Sequence, residues 1–341
     1  MNRTRLQALL EDISRQRLLV IGDYFLDLYL EIDRRLAETS LETGLEAHQV
    51  VARRPSPGAA GNVAANARAL GARVVALGAI GEDGNGDDLL RALQALGVDT
   101  RGLLRSGELV TPTYCKPLVT EPDGRVHELS RLDIKNRHTL PDHVEAEIIM
   151  RLRELAAQVD GIIVNDQVPE PEQGAITSGV RAALSALAAA QPEMVITVDS
   201  RQRIGLFKQM TCKPNEHEAL AALGWADTDD LGCVASAGQA LARRAERTVF
   251  CTVGARGCLV CSAEGCERVP AVPVTGEIDI VGAGDTTLAA ITAALCAGAS
   301  PAEAALIGNL GASVTIRCLG TTGTASAAQI MAAYDAWNAT V

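Results

Sequence analysis

One short run, Asp279-Ile-Val-Gly282-Ala283-Gly284-Asp285-Thr286-Thr287, places three small residues and a carboxylate ahead of an apolar, small-residue segment from Leu288 to Cys296 that Ala297-Gly298 stops. Small residues at a helix start let backbone N–H groups approach an anion closely, and the helix dipole adds positive potential there. Gly282, Ala283 and Gly284 therefore read as a phosphate cradle. Asp285 beside it is placed to take the proton of a hydroxyl that attacks a phosphoryl group. A helix merely capped by its aspartate would use the same residues.

A second set of polar residues follows the first apolar run. Asp23 and Asp27 lie where paired carboxylates accept hydrogen bonds from neighbouring hydroxyls, as on a sugar, and Gly58 and Asn62 would complete that wall. Asp23 also suits a turn after Gly22. Lys116 and Arg131 could grip a substrate phosphate with charge-assisted bonds, or be solvated charges. Thr252-Val-Gly254-Ala-Arg-Gly257 reads as strand, tight reversal and strand, able to lie under a nucleotide or to be a plain hairpin. The five histidines, His48, His127, His138, His143 and His217, have neither metal nor triad spacing. Cys258 and Cys261 fall in an apolar strand that sends them to opposite faces, so packing is expected rather than a zinc site.

These groups need a scaffold, and the hydropathy supplies one. Strand-like runs at 17–21, 73–79, 161–164, 194–198 and 248–253 alternate with amphipathic segments at 62–70, 86–96, 143–158, 172–190 and 236–245. That alternation predicts a mostly parallel sheet covered by helices on both faces, a three-layer α/β/α sandwich. Two stretches break it with period-2 patterning, 27–54 and 113–133, the latter folded at Glu121-Pro-Asp-Gly124. They predict a small β-sheet lid over the strand-end crevice of a single domain spanning 1–341. Unpaired lid edges suggest a homodimer joined lid to lid.

Composition excludes some partners. With a net charge of −11 and pI near 5.0, the summed field repels nucleic acid and anionic membranes but leaves room for a small anion held locally. No apolar stretch reaches bilayer length and Met1 to Arg17 lacks a signal-peptide core, so a cytoplasmic location is expected. Nine scattered cysteines fit reduced thiols there.

Taken with Pro57-Gly58-Ala59-Ala60-Gly61-Asn62, Leu70-Gly71-Ala72 and Gly78-x-x-Gly81-Glu82-Asp83-x-x-Gly86, the Asp279–Asp285 run resembles the paired signatures of the ribokinase-like (PfkB) carbohydrate kinases. Val20-Ile-Gly-Asp23, Arg131-Leu-Asp133, Lys213-Pro-Asn215-Glu-x-Glu218 and Leu319-Gly-Thr-Thr322 are most similar to the D-glycero-D-manno-heptose-7-phosphate kinase module. The chain departs from it at Gly58-Ala59, where a Gly-Gly pair is usual. It departs again after Asp166, where Tyr-Lys-Gly is missing, and no nucleotidyltransferase signature follows, so a stand-alone kinase is expected. The resemblance implies transfer from ATP to a sugar or sugar-phosphate hydroxyl with Asp285 as base. It also implies Mg²⁺ organised through water by Asn215 and Glu218, and nucleotide contacts from Asn215, Thr252, Gly254 and Gly257. Asp166 would lie near substrate, and a monovalent cation, usually K⁺, near Asp279 and the backbone of Thr315, Gly320 and Thr324. Ribose, fructose, fructose phosphate or a nucleoside are other acceptors. A non-catalytic sensor would have no need of Asp285.

Overall fold

The computed structural model describes residues 1–339. Nine strands form the central sheet, in the order Cys266–Val269, Cys258–Cys261, Val249–Thr252, Thr211–Cys212, Val195–Ser200, Gly161–Asp166, Arg17–Gly22, Arg73–Gly81, Asp99–Ser106. All pairings are parallel except those of the hairpin that ends the sheet at Cys258–Cys261 and Cys266–Val269. Each central strand is buried on both faces, so it reads as an apolar run rather than an alternation. Two apolar cores result. One lies under helices Arg3–Ile13, Ala60–Ala69, Ala283–Cys296, Pro301–Thr315 and Ala327–Asn338, the other under Asp142–Ala156, Ser178–Ala190, Glu216–Ala221 and Leu231–Ala245.

The chain first winds from Arg17–Gly22 outward to Asp99–Ser106, then returns to pair Gly161–Asp166 on the other side of Arg17–Gly22. That reversal opens a crevice at the carboxyl ends of these strands, where α/β folds bind ligands. The helix Ala283–Cys296 points its first turn at this crevice. Its residues from Thr286 to Ala294 are all buried, which explains why it carries no amphipathic stripe. Gly308 and Gly311 let Pro301–Thr315 lie close against Thr287 and Thr286. Truncating Leu288, wholly buried, would cost about 2–5 kcal/mol.

The lid is a five-stranded sheet. Tyr24–Asp33 pairs with Val50–Ala59 and, in parallel, with Thr113–Thr120, which carries Leu132–Ile134 and Val126–Glu128. It therefore starts at Tyr24, directly after the crevice strand, and its pattern there is buried on both faces instead of alternating. The segment expected to be helical from Glu172 is loop until Ser178, because Glu172 takes a left-handed turn and Thr177 caps the helix. One thiol expectation is overturned: Cys261 and Cys266, directly opposite in the antiparallel hairpin, form a disulfide. Cys258 and Cys261 do point into different cores. Among the described residues, no helix is long and apolar enough to cross a membrane.

Candidate functional site

Gly282 adopts a left-handed conformation (φ 82°) that turns the chain into the helix, and Thr322 packs against the space a side chain there would need. No side chain caps this end. Ala283, expected to offer its amide to an anion, instead donates to the Ile280 carbonyl at 3.2 Å, closing the turn. The amides of Gly282, Gly284 and Asp285 have no partner among the described residues and face outward from a positive helix end. Asp285 thus adds its own amide to the cradle and presents its carboxylate one turn inside it.

That carboxylate accepts one hydrogen bond, from Asn62 Nδ2 at 3.3 Å. Asn62 lies in the helix Ala60–Ala69. Burial raises the Asp285 carboxyl first, and the charge of Asp199 raises it further. Lys213 and Asn62 pull back, Asp27 pushes the same way as Asp199, and the result stands at about 7. A carboxyl poised there is matched to proton transfer near neutral pH.

Asp199 escaped the sequence reading, and Lys213 has no role there beyond its place in a motif. Asp199 is the next-to-last residue of the strand Val195–Ser200, and its carboxylate takes the Lys213 ammonium at 3.0 Å; both are almost wholly buried. Burial works against the lysine's charge, but Asp199, Glu218 and Asp285 outweigh it and hold its pKa above the usual value. Its Nζ lies 3.8 Å from where a Gly284 side chain would begin, so this charge sits beside the cradle. The available signal was that Asp199, like Asp166, closes an apolar strand with an acid.

Asn215 and Glu218 form a reciprocal capping box on Glu216–Ala221, with both bonds at 2.8 Å. Glu218 does more than cap: burial raises its carboxyl, Asp199 adds to this, and Lys213 opposes it. Among the described residues no cluster of three or more acidic, His or Cys side chains could hold a metal by itself. Asp199 and Glu218 beside an open crevice fit an ion such as Mg²⁺ that keeps water and phosphate ligands. Thr252 forms a β-bridge with Asn215, joining the reversal at Gly254–Arg256 to that element; Gly254 and Gly257 both take positive φ. Asp279 accepts from the amides of Val281 (3.0 Å) and Gly320 (3.1 Å), and its own amide bonds Ile316, so it binds the cradle loop to the 316–320 turn.

On the lid, Asp27 pairs with Lys116 at 3.3 Å, and Gly58 lies so close that a side chain there would begin 3.2 Å from the carboxylate. Burial raises the Asp27 carboxyl, while Lys116 and then Arg131 restrain it. Tyr29, two residues on and on the same face, has Arg54 at 4.0 Å and Lys116 at 5.0 Å from its ring centre; Arg131 stacks on Tyr114 at 4.0 Å.

Two residues expected near the sugar also hold the body of the protein together. Asp23 accepts three backbone N–H bonds, from Gln167 (2.7 Å), Val168 (2.9 Å) and Ala175 (2.7 Å), which pin the loop 167–175. Asp166, 1 % exposed, is held by Ser200 Oγ at 2.6 Å and by two nitrogens of Arg203 at 2.6 and 3.1 Å. Each of these carboxylates accepts three bonds from within the protein, where Asp285 accepts one.

Residues 16–328 match the family model described as pfkB family carbohydrate kinase. Among curated relatives, the Bifunctional protein HldE of Trichlorobacter lovleyi is 31% identical over 98% of this chain and 66% of its own. The HldE of Caulobacter sp. (strain K31) is 32% identical over 90% of this chain and 61% of its own, so the chain spans under two thirds of the length of these relatives. Among solved structures, Arabidopsis thaliana ribokinase complexed with ribose and ATP superposes with a TM-score of 0.69 at 19% identity, covering 94% of this chain and 98% of that one. Escherichia coli phosphofructokinase-2 in complex with potassium gives 0.71 at 19%, covering 95% and 99%.

Proposed function

Because the chain belongs to the pfkB family of carbohydrate kinases and is an ATP-dependent sugar kinase, we propose that its acceptor is a sugar already carrying a phosphate, heptose 7-phosphate first among them. The observation that carries this is the cationic row across the crevice face of the lid. Arg54 and Lys116 stand opposite Tyr29 on the two neighbouring strands, and Arg131 follows on the next. The row lies two residues beyond Asp27, about 7 Å along the strand. A phosphate bound there would leave a hydroxyl several carbons away at Asp27 and Asp285. Within the protein the three cations lie beside Glu31, Asp27 and Asp133, and in a chain with a net charge of −11 their gathering on one face still favours a bound anion.

Asp285 takes the hydroxyl proton while the open amides of Gly282, Gly284 and Asp285 receive phosphate oxygens. Asp199 and Glu218 would hold Mg²⁺, which when bound neutralises phosphate charge; Thr252, Gly254 and Gly257 would lie under the nucleotide, and Asp279 would border a K⁺ site. Exposed Val50, Val51, Val126 and Leu132 on the lid edges support a lid-to-lid homodimer, and a cytoplasmic location suits this chemistry. ADP release from Mg-ATP with K⁺, across sugars, sugar phosphates and nucleosides, tests the reading, with light scattering on the same sample for the dimer. We expect turnover on heptose 7-phosphate or a similar sugar phosphate. Equal or faster turnover on the acceptor without its phosphate would overturn this reading.

A further inference from the structure

The lid strand Val50–Ala59 carries two consecutive arginines, and they reach the body of the protein from opposite faces. Arg53 pairs with Asp88 of the helix Gly84–Ala95 at 3.1 Å, and Asp88, mostly covered, also takes Arg91. Arg54 lies over the Tyr29 ring at 4.0 Å and donates from Nη1 to Thr321 Oγ1 at 3.4 Å. The first contact bolts the strand to the body. The second runs from the lid's cationic row to the turn that follows the helix Pro301–Thr315.

Thr321 stands between two residues that hold the phosphate cradle in shape. On one side the Gly320 amide donates to the Asp279 carboxylate at 3.1 Å, and the same carboxylate accepts from the Val281 amide at 3.0 Å. On the other, the Thr322 methyl lies 3.1 Å from where a Gly282 side chain would begin. Gly282 leads into the helix whose open amides form the cradle. Tyr29, Arg54, Thr321 and the Gly282 turn are therefore one chain of contacts. It joins the place proposed for the acceptor's phosphate to the place proposed for the nucleotide's.

We propose that Arg54 and Thr321 are positioning residues that couple these two places, so that a phosphate on the acceptor tightens the hold on the nucleotide. This rests on the phosphorylated-acceptor reading above. The planar guanidinium offers separate edges to two partners. Nη1 is on Thr321, while Nε is 3.8 Å from Glu31, a loose contact between partly exposed groups that a phosphate would displace. With that edge held, the side chain loses less rotamer freedom in keeping Nη1 on Thr321, and the bond to the turn strengthens. Linkage requires the reverse as well: nucleotide in the cradle tightens the hold on the acceptor by the same factor. A sugar without its phosphate gives Arg54 no such anchor, so the coupling selects for phosphorylated acceptors.

Calorimetric titration with the Mg complex of the imido analogue of ATP, which binds without transferring phosphate, tests this with and without saturating heptose 7-phosphate. In the wild type the sugar phosphate should tighten nucleotide binding about five- to tenfold. Thr321→Val removes the hydroxyl and keeps the shape. It should bring that factor below about twofold, while the Kd of each ligand alone changes less than about twofold. Thr321→Ser, which keeps the hydroxyl, should retain the coupling; a role in packing alone would give the opposite order. An unchanged factor in Thr321→Val would overturn the proposal. So would a wild type whose ligands bind independently, or a variant whose nucleotide affinity falls equally with and without the sugar, since Thr321 would then only shape the cradle. In the free protein, Thr321→Val should speed amide hydrogen exchange at Gly320 and Val281 about three- to tenfold, the effect of losing one modest hydrogen bond. Unchanged exchange there would overturn the tie. If heptose 7-phosphate does not bind, the acceptor reading fails separately, and the exchange result alone decides the tie.

Discussion

Two pairs of acids, Asp285 half-buried and the other three buried, gather at the carboxyl edge of the same sheet, and they are treated in opposite ways. At one end Asp23 and Asp166 each accept three hydrogen bonds, from backbone amides in the first case and from Ser200 and Arg203 in the second. At the other, Asp199 shares one lysine with its neighbours and Asp285 has a single 3.3 Å bond from Asn62. Burial raises both Asp23, to about 6, and Asp285, to about 7; charge from Asp166 adds to the first and from Asp199 to the second. The similar shifts do not separate the roles. What separates them is how much acceptor capacity is already taken: three backbone bonds at Asp23 against one side-chain bond at Asp285.

The sharpest way to break this contrast is to remove charge from each acid in turn. Asp285→Asn should fold, bind nucleotide and lose about 10³-fold in kcat, on the order of 4 kcal/mol of barrier. Single-turnover kinetics at saturating Mg-ATP check it, and near-normal turnover would remove Asp285 from the role of base. Asp23→Asn should act mainly on folding, because an amide cannot accept all three of the backbone bonds the carboxylate takes.

Arg203 gives the next largest effect, on stability rather than rate. Arg203→Met leaves Asp166 with almost no water and one hydroxyl donor, and breaking such a pair costs about 3–5 kcal/mol. Urea denaturation should show this loss, with much of it recovered when Asp166→Asn is added. A loss no larger in Arg203→Met than in a variant of an exposed arginine would mean that the bolted end is not bolted.

The contrast also explains what was legible in the sequence. Gly282-Ala-Gly-Asp285 is local: turn, helix start and carboxylate are consecutive, so pattern alone places them. The layers were legible because doubly buried strands read as apolar runs. Asp199 and Lys213 meet only through strand pairing, Val198 beside Cys212, which spacing does not reveal. Asp23 and Asp166 have the same residue type and strand-end position as Asp199. Their commitment to loop 167–175 and to Arg203 depends on a tertiary path no local pattern contains. The cationic row likewise depends on the register across the lid, where a shift of one residue would turn Arg54 and Lys116 to the other face.

The smallest effect tests how Asp285 is tuned. Only its ionised form accepts a proton, so kcat/KM should rise with pH through about 7 and then level off. Asn62 favours the ionised form, so Asn62→Leu should move that midpoint to higher pH while the plateau falls only modestly. Stability should run the other way. The folded carboxyl is raised above its ordinary value of 3.8, so its contribution is complete below about 4 and is lost as pH climbs through about 7. Thermal melts of Asp285→Asn and wild type should therefore diverge between those limits, with the asparagine variant the more stable at pH 8. A midpoint unmoved by Asn62→Leu would show that the 3.3 Å bond tunes nothing, and that the base is set by burial and Asp199 alone.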